Sequence, residues 1–227
     1  MTHAYITAFV GAGGKTTIMN EMAAKNAAAG KKVLVATTTH IWKPSANYAR
    51  NINEVRSLWA KGAYAVVGKE EEATGKLVAV SREDWQLYIK EADYIYVEAD
   101  GAKGMPCKAP ASHEPVIPAG CNKVIAVAGV DAVGQGGYEA CFRWELARRE
   151  LGVADSHILQ PYDIARLLVS PHGQRKNVGS CDYVIILNKC DTEEDLNNAC
   201  AIHQILVSAG FDVRKIGFRG GLLRAKP

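Results

Sequence analysis

The residues best suited to chemistry near the amino terminus are the glycines, lysine and threonines of FVGAGGKTT, residues 9–17. Packing does not demand this composition, because each glycine weakens a strand or helix by roughly 0.5–1 kcal/mol relative to alanine. Bare backbone between an apolar run and a helical pattern is suited to binding phosphate oxygens through N–H groups. The residues predicted to bind a nucleotide here are Gly11, Ala12, Gly13, Gly14, Lys15, Thr16 and Thr17. Lys15 would reach the β- and γ-phosphates, and the Thr16 hydroxyl would ligate Mg²⁺.

This loop departs from the usual form G-x-x-x-x-G-K-[ST], because Phe9 stands where that form has glycine. The match is the shorter G-x-x-G-K-T of residues 11–16, which resembles the loop of Mur ligases and of the lipid A 4′-kinase. The alternative is a tight strand–helix turn without a ligand. The position between a strand pattern and a helix pattern favours phosphate binding.

A second pattern, Asn188-Lys189-Cys190-Asp191, follows the apolar run of DYVIILNKCD. It resembles the N-K-x-D motif of GTP-binding proteins. The Asp191 carboxylate can accept from guanine N1–H and the 2-amino group, which would favour GTP over ATP by about tenfold or more. Lys189 would lie over the base, and Asn188 would tie this segment to the phosphate loop. The alternative is a helix start capped by Asp191 or Thr192.

Two carboxylates, Glu98 and Asp100, follow the apolar run YIYV. In a parallel sheet both would lie at the carboxyl edge, where ligands bind. We expect Asp100, with Thr16, to hold Mg²⁺, and Glu98 to position an attacking water or a substrate group. The predicted catalytic residues are therefore Lys15, Asp100 and Glu98. Thr39 in ATTTHIW is a further candidate metal or substrate contact, unless its hydroxyl only caps strand-end backbone.

The segment at about 101–120 is rich in proline and glycine and is long for a loop in a compact domain, which is typical of functional loops. Candidate residues for contact with a substrate or client protein are His40, Lys103, Lys108, His113 and Glu114. A short D-x-x-G, Asp131 to Gly134, is a weaker candidate for sensing a γ-phosphate.

Strand and helix patterns alternate along the chain. Strands are predicted at Tyr5–Val10, Lys32–Ala36, Tyr64–Gly68, Lys76–Val80, Tyr94–Val97, Lys123–Ala128, Tyr183–Leu187 and in FDVRKIG, and helices at Thr16–Ala29, Asn53–Lys61, Ser81–Glu91, Tyr138–Leu151, Pro161–Val169 and Thr192–Gly210. This order predicts an α/β fold with a mainly parallel sheet and helices on both faces. We expect residues 1–227 to form one nucleotide-binding domain.

Composition limits the partners. A net charge of +3 without a densely basic segment argues against nucleic acid. Apolar runs fall short of the roughly 20 residues of a membrane span, so no membrane contact is expected. The amino terminus lacks the features of a signal peptide and the 6 cysteines lack tight ligand spacing, which favours a cytoplasmic protein with reduced, buried thiols.

Together, FVGAGGKTT, ATTTHI, VEADGAKGMPCKAPASHEPVIP, AGVDAVG and ILNKCD occur in the order found in the YqeC family. The chain resembles that family over nearly its whole length, and the block from Glu98 to Pro118 is its most specific part. The resemblance implies a P-loop NTPase fold and a role as an accessory protein that matures a selenium-dependent molybdenum hydroxylase. The implied partners are that hydroxylase or its cofactor-handling proteins.

Three functions fit these residues. The first is a Mg²⁺-dependent nucleoside triphosphatase that prefers GTP over ATP and obtains a catalytic arginine from a partner or from a second subunit of a homodimer. The second is a small-molecule kinase or ligase that uses the short phosphate loop. The third is a non-enzymatic, nucleotide-gated chaperone, in which Cys107, His113 and Glu114 would hold a metal or selenium species.

Overall fold

Short apolar runs rich in valine, isoleucine and alanine form the strands, because these side chains fill both faces of a buried sheet. The computed structural model describes residues 4–215. Its strands are β1 (Tyr5–Gly11), β2 (Val33–Thr37), β3 (Ile41–Trp42), β4 (Tyr48–Ala49), β5 (Ala65–Val67), β6 (Lys69–Glu71), β7 (Lys76–Val78), β8 (Tyr94–Glu98), β9 (Cys107–Lys108), β10 (Lys123–Gly129), β11 (Cys141–Phe142), β12 (Asp182–Asn188) and β13 (Asp212–Lys215). The last two residues of the predicted strand FDVRKIG lie outside the described residues.

The helices are α1 (Lys15–Ala28), α2 (Ile52–Ala60), α3 (Arg82–Glu91), α4 (Gly137–Ala140), α5 (Trp144–Leu151), α6 (Pro161–Val169) and α7 (Glu193–Ser208), and a 3₁₀ turn spans Val130–Ala132. Within residues 4–215, none of these helices has the length and apolar character needed to cross a bilayer. Strands alternate with helices as the sequence predicts, so the fold is α/β.

The chain divides into two compact units. Of the described residues, unit 1 contains 4–9, 16–101 and 116–123, and unit 2 contains 10–15, 102–115 and 124–215. Each unit therefore contains several separate stretches of the sequence. The expectation that 1–227 forms a single domain stays a prediction.

In unit 1 the strand order is β1-β8-β2-β5-β4, and every pair of neighbours is parallel. Strand β8 lies between β1 and β2, so the first two strands are parallel, as predicted, without being neighbours. Phe9 and Thr37 both lie opposite Glu98 in the register. Alternate residues of these strands, such as Leu34 and Ile95, join a buried core with residues of α2 and α3.

A second sheet in unit 1, of order β3-β7-β6, is antiparallel. The predicted strands Tyr64–Gly68 and Lys76–Val80 correspond to β5 and β7, which do not pair with each other. A hairpin pairs β6 with β7, whereas β5 belongs to the parallel sheet. Its side chains Ala65, Val66 and Val67 are all buried, which suits a strand covered on both faces.

In unit 2 the strand order is β13-β12-β10, with β12 and β13 parallel. Helices α6 and α7 pack against each other. Helix α7 begins as predicted: Thr192 accepts from the Asp195 amide, and the Asp195 carboxylate accepts from the Thr192 amide. Pro161 is the first residue of α6, where its missing N–H leaves no helical bond unmade.

The prediction of one helix over Tyr138–Leu151 is wrong. The chain forms α4, then the two-residue strand β11, then α5. Arg143 adopts a left-handed backbone conformation, with φ of 62°, and this ends the strand and starts α5 in a new direction. Strand β11 pairs in parallel with β9, so the proline-rich segment at 101–120 also contains a short regular element.

Candidate functional site

The backbone of the predicted phosphate loop turns at each of its glycines. Gly11, Gly13 and Gly14 have φ angles of 91°, 75° and 118°, a region that glycine enters far more readily than other residues. A Cβ atom on Gly11 would lie 2.2 Å from the Val127 carbonyl oxygen, and one on Gly13 would lie 2.2 Å from the Gly129 nitrogen. The close approach of two backbone segments therefore requires glycine at positions 11 and 13.

Two amides of this loop are bonded within the protein. The Ala12 N–H donates to the Val127 carbonyl at 2.8 Å, and the Gly13 N–H donates to the Met105 carbonyl at 3.0 Å. The expectation that these two amides face a phosphate is therefore wrong for this structure. Ala12 and Gly13 shape the loop instead. The first turn of α1 follows, and its N–H groups have no acceptor within the helix.

The Lys15 side chain folds back over the loop. Its Nζ donates to the Gly11 carbonyl oxygen at 2.5 Å, and the residue is only 4% exposed. Lys25, on the same helix, is exposed. A buried ammonium at a helix N-terminus adds its charge to the helix dipole, so this end of α1 is suited to an anion.

Next in the chain, Thr16 contacts the acidic end of β8 in unit 1. Its hydroxyl donates to Glu98 Oε2 at 2.7 Å, and Glu98 is 7% exposed. A hydroxyl and a carboxylate oxygen side by side are the donor types that Mg²⁺ prefers. The Thr16 hydroxyl thus bonds the carboxylate of Glu98, a pairing that the sequence did not predict.

Asp100 is fully buried two residues beyond the end of β8. The backbone on either side is fixed within unit 1: the Ala99 N–H donates to the Phe9 carbonyl at 2.9 Å, and the Val116 N–H donates to the Ala99 carbonyl at 3.0 Å. A buried carboxylate in a turn held by backbone hydrogen bonds is a candidate functional group, because burying a charge is costly. Its role as a metal ligand or catalytic group stays a prediction.

The threonines after β2 bind mainly to backbone. The Thr37 hydroxyl donates to the Glu98 carbonyl at 3.0 Å and accepts from the Thr39 amide at 2.9 Å. The Thr38 hydroxyl donates to the Val116 carbonyl at 2.7 Å. The Thr37 and Thr38 hydroxyls therefore cap strand-end backbone, whereas the Thr39 hydroxyl lies 3.3 Å from that of Thr37 and its role as a metal or substrate contact stays a prediction.

His40 is exposed and turned towards the antiparallel sheet. Its Nε2 lies 3.6 Å from Glu71 Oε1, on β6 of the same unit. The Glu71 pKa is lowered, first by the hydrogen bond from Thr74 and also by His40. The structure thus gives His40 an acidic partner on the protein surface.

Asn188 makes the contact expected of it. Its Nδ2 donates to the Gly13 carbonyl at 2.7 Å, and the residue is 4% exposed. The end of β12 is therefore tied to the phosphate loop within unit 2. Helix α7 is capped by Thr192, so Asp191 is not needed as the cap.

Lys189 has a left-handed backbone conformation, with φ of 61°, and its Nζ lies 2.7 Å from Asp131 Oδ2. The other oxygen, Asp131 Oδ1, is a buried acceptor without a hydrogen bond in the described part of the chain. Asp191, two residues on, is exposed. The segment after Asn188 thus presents an ion-paired lysine and an exposed carboxylate side by side.

The 102–115 part of the proline-rich segment is organised around one buried carboxylate. Glu114 accepts from Lys108 at 2.7 Å and from Arg143 at 2.5 Å and 3.0 Å. Burial raises the Glu114 pKa, but the bonds and charges of Arg143 and Lys108 outweigh burial and lower it to about 2. Glu114 and Lys108 are therefore structural partners in this state, rather than groups exposed to a client.

The remaining candidates of this segment do not form a metal site. Lys103 is exposed, with its Nζ 5.3 Å from the centroid of the Phe142 ring, and His113 is also exposed. The pKa of the buried Cys107 thiol is raised well above its ordinary value, first by its hydrogen bond with the Cys141 thiol and then by burial. Residues 4–215 contain no group of three or more histidine, cysteine, aspartate or glutamate side chains able to hold a metal. The suggested metal or selenium site at Cys107, His113 and Glu114 is therefore not formed.

Sequence reasoning missed two residues that matter here. Arg143 neutralises Glu114, but it was hidden inside a predicted helix. Thr37 links the ends of β2 and β8, but nothing in the pattern ATTTHIW distinguishes it from Thr38 and Thr39. Its position as the last residue of an apolar run, level with the last residue of YIYVE, was the available signal.

Parallel strands, the β1–glycine loop–α1 connection and the Lys15-Thr16 pair at the helix start define an α/β protein of the P-loop type. The model of the family described as YqeC protein matches residues 7–145. A relative from Escherichia coli strain K12, described as uncharacterized protein YqeC, is 32% identical over 219 residues, which cover 88% of this chain and 81% of the relative. The chain belongs to the YqeC family.

Among solved structures, the chain is similar to the MinC:MinD cell division protein complex of Aquifex aeolicus. The TM-score is 0.45 and the identity 14%, over 94% of this chain and 81% of that chain. A similarity of this size supports no conclusion about ligands or partners.

Proposed function

We propose that this protein is a Mg²⁺-dependent nucleoside triphosphatase that prefers GTP. One observation carries the proposal: a loop with glycines at positive φ delivers Lys15 and Thr16 to the N-terminus of a 14-residue helix. Backbone N–H groups, an ammonium group and the helix dipole together form a binding site for phosphate. Packing alone does not explain why a lysine should be buried at this point.

Mg²⁺ fits the residues beside Thr16. Bound with the nucleotide, Mg²⁺ would supply positive charge against the β- and γ-phosphate oxygens. Glu98 is the better candidate for the metal side, because its carboxylate already accepts from the Thr16 hydroxyl. Asp100 is left as the candidate that positions the attacking water. Lys15 would neutralise charge that develops on the β- and γ-oxygens during hydrolysis.

The preference for GTP rests on the segment that follows β12. Asn188 holds the segment against the Gly13 carbonyl, and the exposed Asp191 carboxylate would accept from the two N–H donors of a guanine edge. The Lys189 ammonium group is held by Asp131, and the aliphatic stem would lie over the base. Adenine does not present two adjacent N–H groups that could both donate to one carboxylate.

In the cell, we propose that nucleotide hydrolysis drives a cofactor-insertion or hand-over step in the maturation of a selenium-dependent molybdenum hydroxylase. The support is the resemblance of the motifs stated above, in particular the Glu98–Pro118 block. The client would be that hydroxylase or a protein that handles its cofactor.

Titration calorimetry with GTP, GDP and ATP, each with and without Mg²⁺, tests the biochemical proposal. We expect GTP to bind at least about tenfold more tightly than ATP, with a requirement for Mg²⁺. Lys15→Ala should abolish measurable triphosphate binding, whereas Lys25→Ala removes an equal charge from the same helix and should bind normally. Equal affinity for GTP and ATP would reject the guanine assignment, and wild-type affinity in Lys15→Ala would reject the phosphate loop.

A further inference from the structure

Unit 1 contains a cavity of about 520 Å³ that no predicted residue role explains. Its volume is in the range of roughly 300–1,000 Å³ that is typical of small-molecule sites. Its floor is formed by the carboxyl ends of β2 and β8, at Thr37 and Val97, and one wall is formed by α3. In parallel sheets, this edge is where ligands bind.

The cavity is mainly apolar, with one large aromatic wall. Trp85 and Ile89 of α3 line it opposite Val97, which is fully buried, and Val80 closes another side. Trp85 is half-buried and packs against the core of unit 1, so that core holds its ring in place. A fixed indole beside apolar walls favours a flat ring system over a flexible chain.

One charged group accompanies this apolar surface. Arg82, the first residue of α3, is the sole ionisable side chain among the described residues that line the cavity. The described ion pairs do not include Arg82. The nearby Asp84 carboxylate is occupied at the helix cap, where it accepts from the Ser81 hydroxyl at 2.9 Å. A guanidinium group at the edge of an apolar pocket favours a carboxylate or phosphate on the ligand.

The cavity is also connected to the proposed metal-side carboxylate within the same unit. Thr37, on its floor, donates its hydroxyl to the Glu98 carbonyl. Thr38 also lines the cavity, and its hydroxyl donates to the Val116 carbonyl. The Val116 N–H in turn donates to the Ala99 carbonyl. A ligand in the cavity would therefore contact Thr37, which bonds the Glu98 carbonyl directly, and Thr38, which bonds Val116.

We propose that this cavity binds a small planar organic anion: a molecule of one or two fused rings that bears a carboxylate or a phosphate. This ligand is distinct from the nucleotide, because the guanine-binding candidates Asn188, Lys189 and Asp191 do not line the cavity. If the proposed function holds, this anion is the second ligand of the enzyme. Its binding can be measured without any nucleotide.

The probes are 2-naphthoate and 2-naphthyl phosphate, with 2-naphthalenemethanol as the neutral analogue, titrated by calorimetry in nucleotide-free buffer. We expect saturable binding of the two anions, and binding of the neutral analogue that is at least about fivefold weaker. Arg82→Ala should weaken the anions about tenfold and leave the neutral analogue unchanged. Lys90→Ala, which removes an exposed charge from the same helix, should bind all probes as the wild type does.

Trp85→Leu should weaken all three probes by about fivefold or more, because the stacking surface is lost. Trp42→Leu is its control, since Trp42 is 73% exposed and does not line the cavity. Circular dichroism establishes that each variant is folded. If Trp85→Leu does not fold, Arg82→Ala decides the question alone.

Three results would overturn the proposal. One is the absence of saturable binding of either anion to the wild-type protein. Another is equal weakening by Arg82→Ala and Lys90→Ala, which would reflect general charge. The third is competitive displacement of the bound anion by GTP with Mg²⁺, which would identify the cavity as the nucleobase site. The first two results leave the nucleotide proposal intact, so the two proposals fail separately.

Discussion

The phosphate loop and the segment after β12 both belong to the proposed nucleotide site, but they are built in different ways. In the loop, backbone packing decides residue identity: a Cβ on Gly11 or Gly13 would lie 2.2 Å from a backbone atom. After β12, Asn188 is fixed by a bond to the loop, whereas Asp191 is exposed. The comparison suggests that phosphate binding is set by the fold, and base preference by a few replaceable side chains.

The largest expected effect comes from Gly13→Ala. The added Cβ would meet the Gly129 nitrogen and the Pro106 carbonyl, so the loop has to move or the unit has to open. We expect loss of nucleotide binding by more than about 100-fold, or a fall in stability of several kcal/mol. Titration calorimetry measures the nucleotide affinity, and thermal unfolding measures the stability.

Gly62→Ala is the matched control for that change. Gly62 has a φ of 72°, similar to the 75° of Gly13, but its Cβ would meet nothing within 4 Å. It should cost only about 1 kcal/mol of stability and leave nucleotide binding unchanged. If both substitutions behave alike, close packing does not explain the glycine at position 13.

The next largest effect concerns residues 102–115, the segment in which the Met105 carbonyl accepts from the Gly13 N–H. Because the folded-state pKa of Glu114 is about 2 against an ordinary 4.5, its ionised form stabilises the fold above pH 4.5. That contribution, up to roughly 3 kcal/mol, is lost as the pH falls from 4.5 towards 2. Chemical denaturation at several pH values should show this loss.

Glu114→Gln supplies the control for the pH experiment. It should be less stable than the wild type at pH 7, and the difference should shrink as the pH falls towards 2. A constant difference over this range would mean that the charge of Glu114 does not stabilise the segment.

A smaller effect should distinguish the role of Glu98, at the end of β8, from that of Asp100 in the turn that follows. Glu98→Gln keeps the shape of the side chain but removes the negative charge beside Thr16. We expect GTP affinity in the presence of Mg²⁺ to fall about tenfold or more, with little change when Mg²⁺ is absent. Asp100→Asn should reduce hydrolysis more than binding. The reverse pattern would return the metal-side role to Asp100.

The smallest effect is expected at the residue proposed to bind the nucleobase. Asp191→Asn should lower GTP affinity about tenfold and leave ATP affinity nearly unchanged, which removes the preference without removing binding. Asp195→Asn changes a helix-cap carboxylate instead and should leave the preference unchanged. If Asp191→Asn has no effect on the ratio of the two affinities, the base is bound by other residues.

The sequence predicted most elements that position the site, because local chemistry determines them. The glycine loop, the apolar strands and the Thr192 cap each depend on residues close together in the chain. The break at Cys141–Arg143 could not be predicted, because it depends on pairing with Cys107 and Lys108 far away in sequence. The contact of Thr16 with Glu98, 82 residues apart, was missed for the same reason.

A crystal structure of the protein with a non-hydrolysable GTP analogue and Mg²⁺ tests the central claim most directly. The account predicts phosphate oxygens within hydrogen-bond distance of the N–H groups that begin α1. Lys15 Nζ should have moved from the Gly11 carbonyl to a β- or γ-phosphate oxygen, with Mg²⁺ beside Thr16 and Glu98. A nucleotide bound elsewhere, with Lys15 still on Gly11, would contradict it.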